Sequence, residues 1–185
     1  MSQPYCCMDL FLATFLTGLV LLLAGALLLW NGKPVAALIK GFPRSQGAAL
    51  VGMSLAAAWF LYLITQLTEA DFGAYKRPLF MGFGALAVLS YFYVREFLAV
   101  RSFCILYLLV AAVLLGAAWM QEPASRLFLV TLVYIGIVLS LYLAVVPYRL
   151  RDFFDWLFAR EIRPRLLGGA FLAYGTLLNV VAITY

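Results

Sequence analysis

The sequence predicts an all-α fold: a polytopic transmembrane helical bundle of about six spans, with one or two short interfacial amphipathic helices. Three observations carry that prediction. Of the 185 residues, 66% are hydrophobic and 11% are charged, against roughly 45–50% and 25% in an ordinary soluble domain. The apolar residues gather into six runs, and most of the Lys and Arg lie in the first, third and fifth polar breaks between them taken together. At about 1.5 Å per residue a helix needs roughly 20 residues to cross a hydrocarbon core of about 30 Å, so six spans use about 120 positions and leave only short connections. Residues 1–185 therefore read as a single integral membrane domain.

The first run, Leu10 to Trp30, is too long for the core of a signal peptide and has only Asp9 as a charged residue before it. Ala24-Gly25-Ala26 resembles a cleavage triplet, but the reading is an uncleaved first span, which Asn31-Gly32-Lys33-Pro34 then ends. Further spans are predicted at 47–67, 79–94, 103–120, 127–146 and 166–184. The third is the shortest, about 24 Å by helical rise, and must continue through Arg95 and Glu96 or sit in a thinned bilayer.

The first, third and fifth connections (31–46, 95–102 and 147–165) hold ten Lys and Arg, while the second and fourth (68–78 and 121–126) hold three. Basic loops stay cytoplasmic. The expected location is the cell membrane, the inner membrane if the source is a bacterium, with both termini outside. An even number of spans makes the two ends agree.

Two cytoplasmic connections carry further pattern. In 147–162, Leu150, Phe153, Phe154, Leu157 and Phe158 recur at helical spacing, with Arg151, Asp152 and Asp155 on the other face. This predicts an amphipathic interfacial helix opening at Pro147, with Arg151 and Asp155 as an i,i+4 ion pair. In the first connection, Val35, Leu38, Ile39 and Phe42 form a similar face that Lys33, Lys40 and Arg44 can flank. Lys33, Lys40, Arg44, Arg149, Arg151, Arg163 and Arg165 are the candidate contacts for anionic lipid headgroups on the cytoplasmic side. Both connections follow the order span, proline, basic helix, span opening near glycine, which hints at an internal repeat although the two share no residue-level motif.

Much chemistry is excluded. The chain has no histidine, which removes bis-histidine haem, the usual zinc and di-iron sites and the commonest general base. No charge lies near the centre of a predicted span, which disfavours an ion-coupled carrier. Ser54, Ser90 and Ser140 have no partner base for nucleophilic catalysis, and no glycine loop for phosphate is present. The three cysteines, Cys6, Cys7 and Cys104, form no C-x-x-C pair or disulfide framework, and acylation or interchain bridging at Cys6 or Cys7 is the functional alternative to an incidental role. Basic residues scattered between apolar runs are not a nucleic-acid footprint. No catalytic, cofactor-binding or metal residue is assigned, and no cofactor is expected.

What the spans do offer is small and weakly polar faces. Ala48, Gly52 and Ala56 on the second span and Gly136, Ser140 and Ala144 on the fifth are stripes where helices can dock closely, within the chain or against another membrane subunit. Ala112 and Gly116 make a shorter one. Tyr62, Tyr107, Tyr134, Tyr142 and Tyr174, with Thr65, Gln66, Thr131, Thr176 and Asn179, either line a weakly polar pocket or bond to neighbouring backbone.

The expectation is a non-catalytic integral membrane subunit or scaffold that packs against other membrane proteins or lipids. The alternative is a small-solute transporter or its membrane-embedded substrate-binding subunit. In length and span count alone, the chain is similar to the vitamin-capturing membrane subunits of energy-coupling uptake systems. An enzyme acting on lipids would have to use Arg149, Arg151, Arg163 and Arg165 to hold a phosphate beside Asp152 or Asp155, and is not the expectation.

Overall fold

The computed structural model describes residues 9–30, 33–67, 73–93, 98–122 and 124–185. Those residues form eight α-helices and no strand: α1 (Leu10–Trp30), α2 (Lys33–Gly41), α3 (Gln46–Thr65), α4 (Lys76–Tyr93), α5 (Leu98–Ala118), α6 (Arg126–Val145), α7 (Tyr148–Leu157) and α8 (Ile162–Ile183). Short 3-10 turns at Phe42–Arg44 and Gly73–Tyr75 lead into α3 and α4. Five helices, α1, α3, α5, α6 and α8, are long and apolar enough to cross a membrane. The predicted third span is also helical, as α4, but it opens on Lys76-Arg77 and is not among those five.

Local chemistry fixes several ends. The Ser45 hydroxyl accepts from the Ala48 N–H at 3.2 Å and so satisfies one of the free donors that open α3. At the other end of the bundle, α5 stops at Ala118 and Met120 takes a left-handed conformation with φ 54°. Arg126 then donates to the Ala118 carbonyl at 3.3 Å and to the Gln121 carbonyl, placing its charge at the negative end of the α5 dipole.

The interfacial helix is shorter than the pattern predicts. It ends at Leu157, a turn follows at 158–161, and α8 starts at Ile162. A continuous helix would put Pro164 in its interior, where the ring clashes with the carbonyl four residues earlier. The break places Pro164 in the first turn of α8, where no donor is needed. Arg163 and Arg165 thus belong to α8.

The helices alternate in direction. Gly18 meets Gly175 and Gly25 meets Gly168, so α1 and α8 are antiparallel. Phe60 and Phe83 cross edge to face at 4.9 Å, and farther along Ile64 and Thr65 share a hollow with Phe80 and Met81, so α3 and α4 are antiparallel too. By contrast α3 and α5 run side by side: Ala49 packs with Leu98 and Ala99, and one turn on Gly52 meets Ser102. The start of α1 and the end of α8 therefore lie at the same end of the bundle.

The main core joins α1, α5, α6 and α8 through Ala13, Ala111, Leu129, Val133 and Leu178, all essentially inaccessible. Helix α4 stands outermost: each of its residues whose side chain is described is at least partly exposed. Large apolar side chains cover the flanks, among them Val20, Val51, Leu86, Val138 and Val180, each more than half exposed. On a soluble protein such a surface would be an aggregation liability, but around spans of this length it matches hydrocarbon.

Candidate functional site

The first and fifth connections meet at one end of the bundle. Helix α2 lies against α7, with Lys40 Nζ 3.3 Å from Asp155 Oδ1 and 6.0 Å from the centre of the Phe158 ring. The 42–44 turn reaches the start of α5, where Phe42 and Phe103 stack edge to face at 6.0 Å. Inward, α7 turns Leu150, Phe154, Leu157 and Phe158 toward the bundle, with Leu157 buried. Outward it shows Arg149, Asp152, Phe153 and Trp156. The result is a ledge made from α2, α7 and the first turn of α8.

Charges on that ledge are unequally engaged. Arg151 bonds Asp152 at 3.1 Å rather than the predicted Asp155, which Lys40 takes instead. Helix spacing allows the i,i+4 pair, but the docking of α2 supplies a cation from another element. Arg163 stacks over the Trp156 ring, 4.2 Å from its centre, and donates to the Trp156 carbonyl at 2.6 Å, so it closes the end of α7. Phe153 stacks on the same Trp156 with centroids 6.1 Å apart. The exposed guanidinium groups of Arg149, Arg160 and Arg165 make no hydrogen bond or ion pair with the described residues. Arg160 was not singled out by pattern, because it belongs to neither amphipathic face and becomes prominent only where the chain turns. The side chains of Lys33 and Arg44, together with Cys6, Cys7, Arg95 and Glu96, lie outside the described residues.

Both aspartates pair with basic neighbours, whereas the exposed Glu161, next to Arg160 in the chain, has no ion pair with the described residues. Among the described residues, no group of three or more His, Cys, Asp or Glu side chains is arranged to hold a metal ion.

The small-residue stripes face inward. A Cβ on Gly52 would lie 2.6 Å from the Ser102 hydroxyl, and one on Gly136 would overlap the Tyr107 hydroxyl, so both stripes pack on α5. Ala56 and Ser140 are buried, while Ala48 and Ala144 are half-buried. The shorter stripe differs: Gly116 has open space beside it and Ala112 is exposed.

The closest helix contact was not visible at four-residue spacing. Gly18 and Gly25 on α1 and Gly168 and Gly175 on α8 are each seven apart. A Cβ on Gly25 would stand 2.8 Å from the Gly168 carbonyl oxygen, and one on Gly168 2.9 Å from that of Gly25. Identical seven-residue spacing in the first and last runs was the available signal.

The tyrosines do not converge on a pocket. Tyr107 donates to the Val133 carbonyl at 3.3 Å, tying α5 to α6, and Tyr174 donates to the Phe128 carbonyl at 2.8 Å, tying α8 to α6. Tyr62, Tyr134 and Tyr142 point to the outside. A cavity of about 270 Å³ lies elsewhere, between α3, α4 and α5, and its walls include Met53, Ala57, Phe60, Phe83, Leu86 and Ile105. A second hollow of about 320 Å³ opens at the far end between Thr65, Lys76 and Arg77.

Fold and ledge define a class: a helical membrane-type bundle with one basic, aromatic-edged end. Compared with protein-family models, curated proteins and solved structures, the chain matches none.

Proposed function

We propose that the protein is a non-catalytic integral membrane subunit or scaffold with six spans. In this reading both chain ends are outside, and the basic end rests on anionic lipid at the cytoplasmic surface. One observation carries the reading: two basic connections, far apart in sequence, close on each other through Lys40 and Asp155 and leave three guanidinium groups facing outward. Anionic headgroups are the partners that such a ledge fits at an interface. The antiparallel pairing of α1 with α8 supports an even number of crossings. The parallel pairing of α3 with α5 supports α4 as the return crossing, since its 18 residues reach about 27 Å.

The interior supports a packing role rather than passage of a polar solute. Hydroxyls inside the spans, such as those of Tyr107, Thr14 and Tyr174, bond to helix carbonyls, and the cavity between α3, α4 and α5 is apolar. Extraction from native membranes in mild detergent, followed by native electrophoresis, tests the scaffold role. The protein is expected in a discrete complex with other membrane chains, well above its own 20.5 kDa. Migration as a lone monomer would overturn the proposal.

A further inference from the structure

Arg101 sits in the first turn of α5, a membrane-length helix, and unlike Arg163 in the first turn of α8, which stacks on Trp156, it has no partner among the described residues. It is only partly exposed, its Nε is buried without a hydrogen-bond partner, and it forms no ion pair with the described residues. A cation there also opposes the positive end of the α5 dipole, and no acid stands in that turn. An orphaned buried donor is unfavourable, more so when it carries charge. Among the described residues no acid neutralises this cation.

Immediately below lies the apolar cavity. Ile105, which lines it, is one helical turn after Arg101 on the same side of α5, a step of about 6 Å along the axis. On α3 the lining runs from Met53 to Leu61, about 12 Å of depth, and begins beside Gly52, which is level with Ser102. The outer wall is α4, the least buried helix, whose lining residues Phe83 and Leu86 are themselves exposed, so the cavity opens sideways. At about 270 Å³ it exceeds the roughly 150 Å³ dry apolar cavity that accepts benzene.

A cation at the mouth of a sideways-opening apolar groove is the shape of an anionic amphiphile. We propose that α3, α4 and α5 form a specific site for one phospholipid with a net negative charge. Arg101 holds the phosphate, and one acyl chain fills the groove past Ala57, Phe60 and Leu86. This deepens the lipid-contact part of the proposed function and differs from the ledge of α7 and α8, which offers charge without a groove.

Retention of lipid by the full chain in detergent, read by native mass spectrometry during titration with phosphatidylglycerol or phosphatidylcholine, tests it. Arg101→Gln is expected to weaken phosphatidylglycerol binding about tenfold, the size of one lost charge-assisted contact, and phosphatidylcholine binding by less, because its choline cation already offsets the phosphate charge. Ala57→Leu, which fills the groove without touching Arg101, is expected to reduce binding of both lipids. The triple variant Arg149→Gln, Arg160→Gln, Arg165→Gln is expected to keep the tight lipid. Wild-type binding by Arg101→Gln, or by Ala57→Leu, would overturn the proposal. Loss in the triple variant alone would remove this site while leaving the wider lipid-contact reading intact. Displacement of phosphatidylglycerol by equimolar inorganic phosphate would show a free-anion site and end the lipid assignment.

Discussion

Glycine positions that look equivalent in the sequence separate sharply by surroundings. Gly25 and Gly168 sit where two backbones touch, so an added methyl group meets a carbonyl that cannot rotate away. Gly116 and Gly84 face open space. Gly25→Ala is therefore expected to destabilise the bundle by about 1–3 kcal/mol through overpacking. Gly116→Ala is expected to be neutral or to stabilise by about 0.5–1 kcal/mol through helix propensity. Thermal unfolding midpoints in one detergent check both, and equal midpoints for the two variants would contradict the close contact of α1 and α8. Asn179 belongs to the same seam: its amide lies over Gly18, its Nδ2 donates to the Gly175 carbonyl at 3.0 Å, and its Oδ1 is buried without a partner among the described residues.

Among the elements, α2 and α7 show how a weak contact can set geometry without contributing much stability. Lys40 and Asp155 are both well exposed, so their ion pair is worth about 0.2–1 kcal/mol and weakens with salt. A double-mutant cycle with Lys40→Ala and Asp155→Ala is expected to give a coupling energy in that range. A value near zero would mean that apolar packing alone docks α2. The amphipathic pattern was legible because Leu150, Phe154 and Leu157 recur at helical spacing. Its termination was less so, since a run of apolar and charged residues continues past 157 and only the placement of Pro164 reveals the break. Ion partners were less legible still: proximity along the helix suggested Arg151 with Asp155, and docking of a distant helix reassigned both.

For the whole molecule, the direction of each helix yields a prediction about sidedness. Single cysteines placed at Gln121, between α5 and α6, and at Arg160, between α7 and α8, in a chain with its native cysteines replaced, are expected to label from opposite sides of sealed vesicles. Arg160 should be reached only from the cytoplasmic side. Labelling of both from one side would refute the alternation of α6, and with it the six-span reading. The same pattern supports the proposed crossing by α4 despite Lys76 and Arg77, because its neighbours α3 and α5 run in the same direction. Apolarity averaged along one helix cannot report that. It follows from where the neighbours begin.

Composition and periodicity by themselves determined the class of this protein: apolar runs of membrane length fold as helices because only internal backbone hydrogen bonding survives in hydrocarbon. They also determined the lack of imidazole chemistry and the concentration of basic residues in alternate connections, since both are properties of the list of residues. Tertiary structure alone decided which helices touch. The pairing of α1 with α8, the docking of α2 on α7 and the seat of Arg101 above an apolar groove depend on contacts between residues remote in the chain. Local pattern has no term for those contacts: the membrane-length helices are apolar all round, so the hydrophobic stripe that would name a partner is missing, and the apolar faces of α2 and α7 do not say which neighbour they meet.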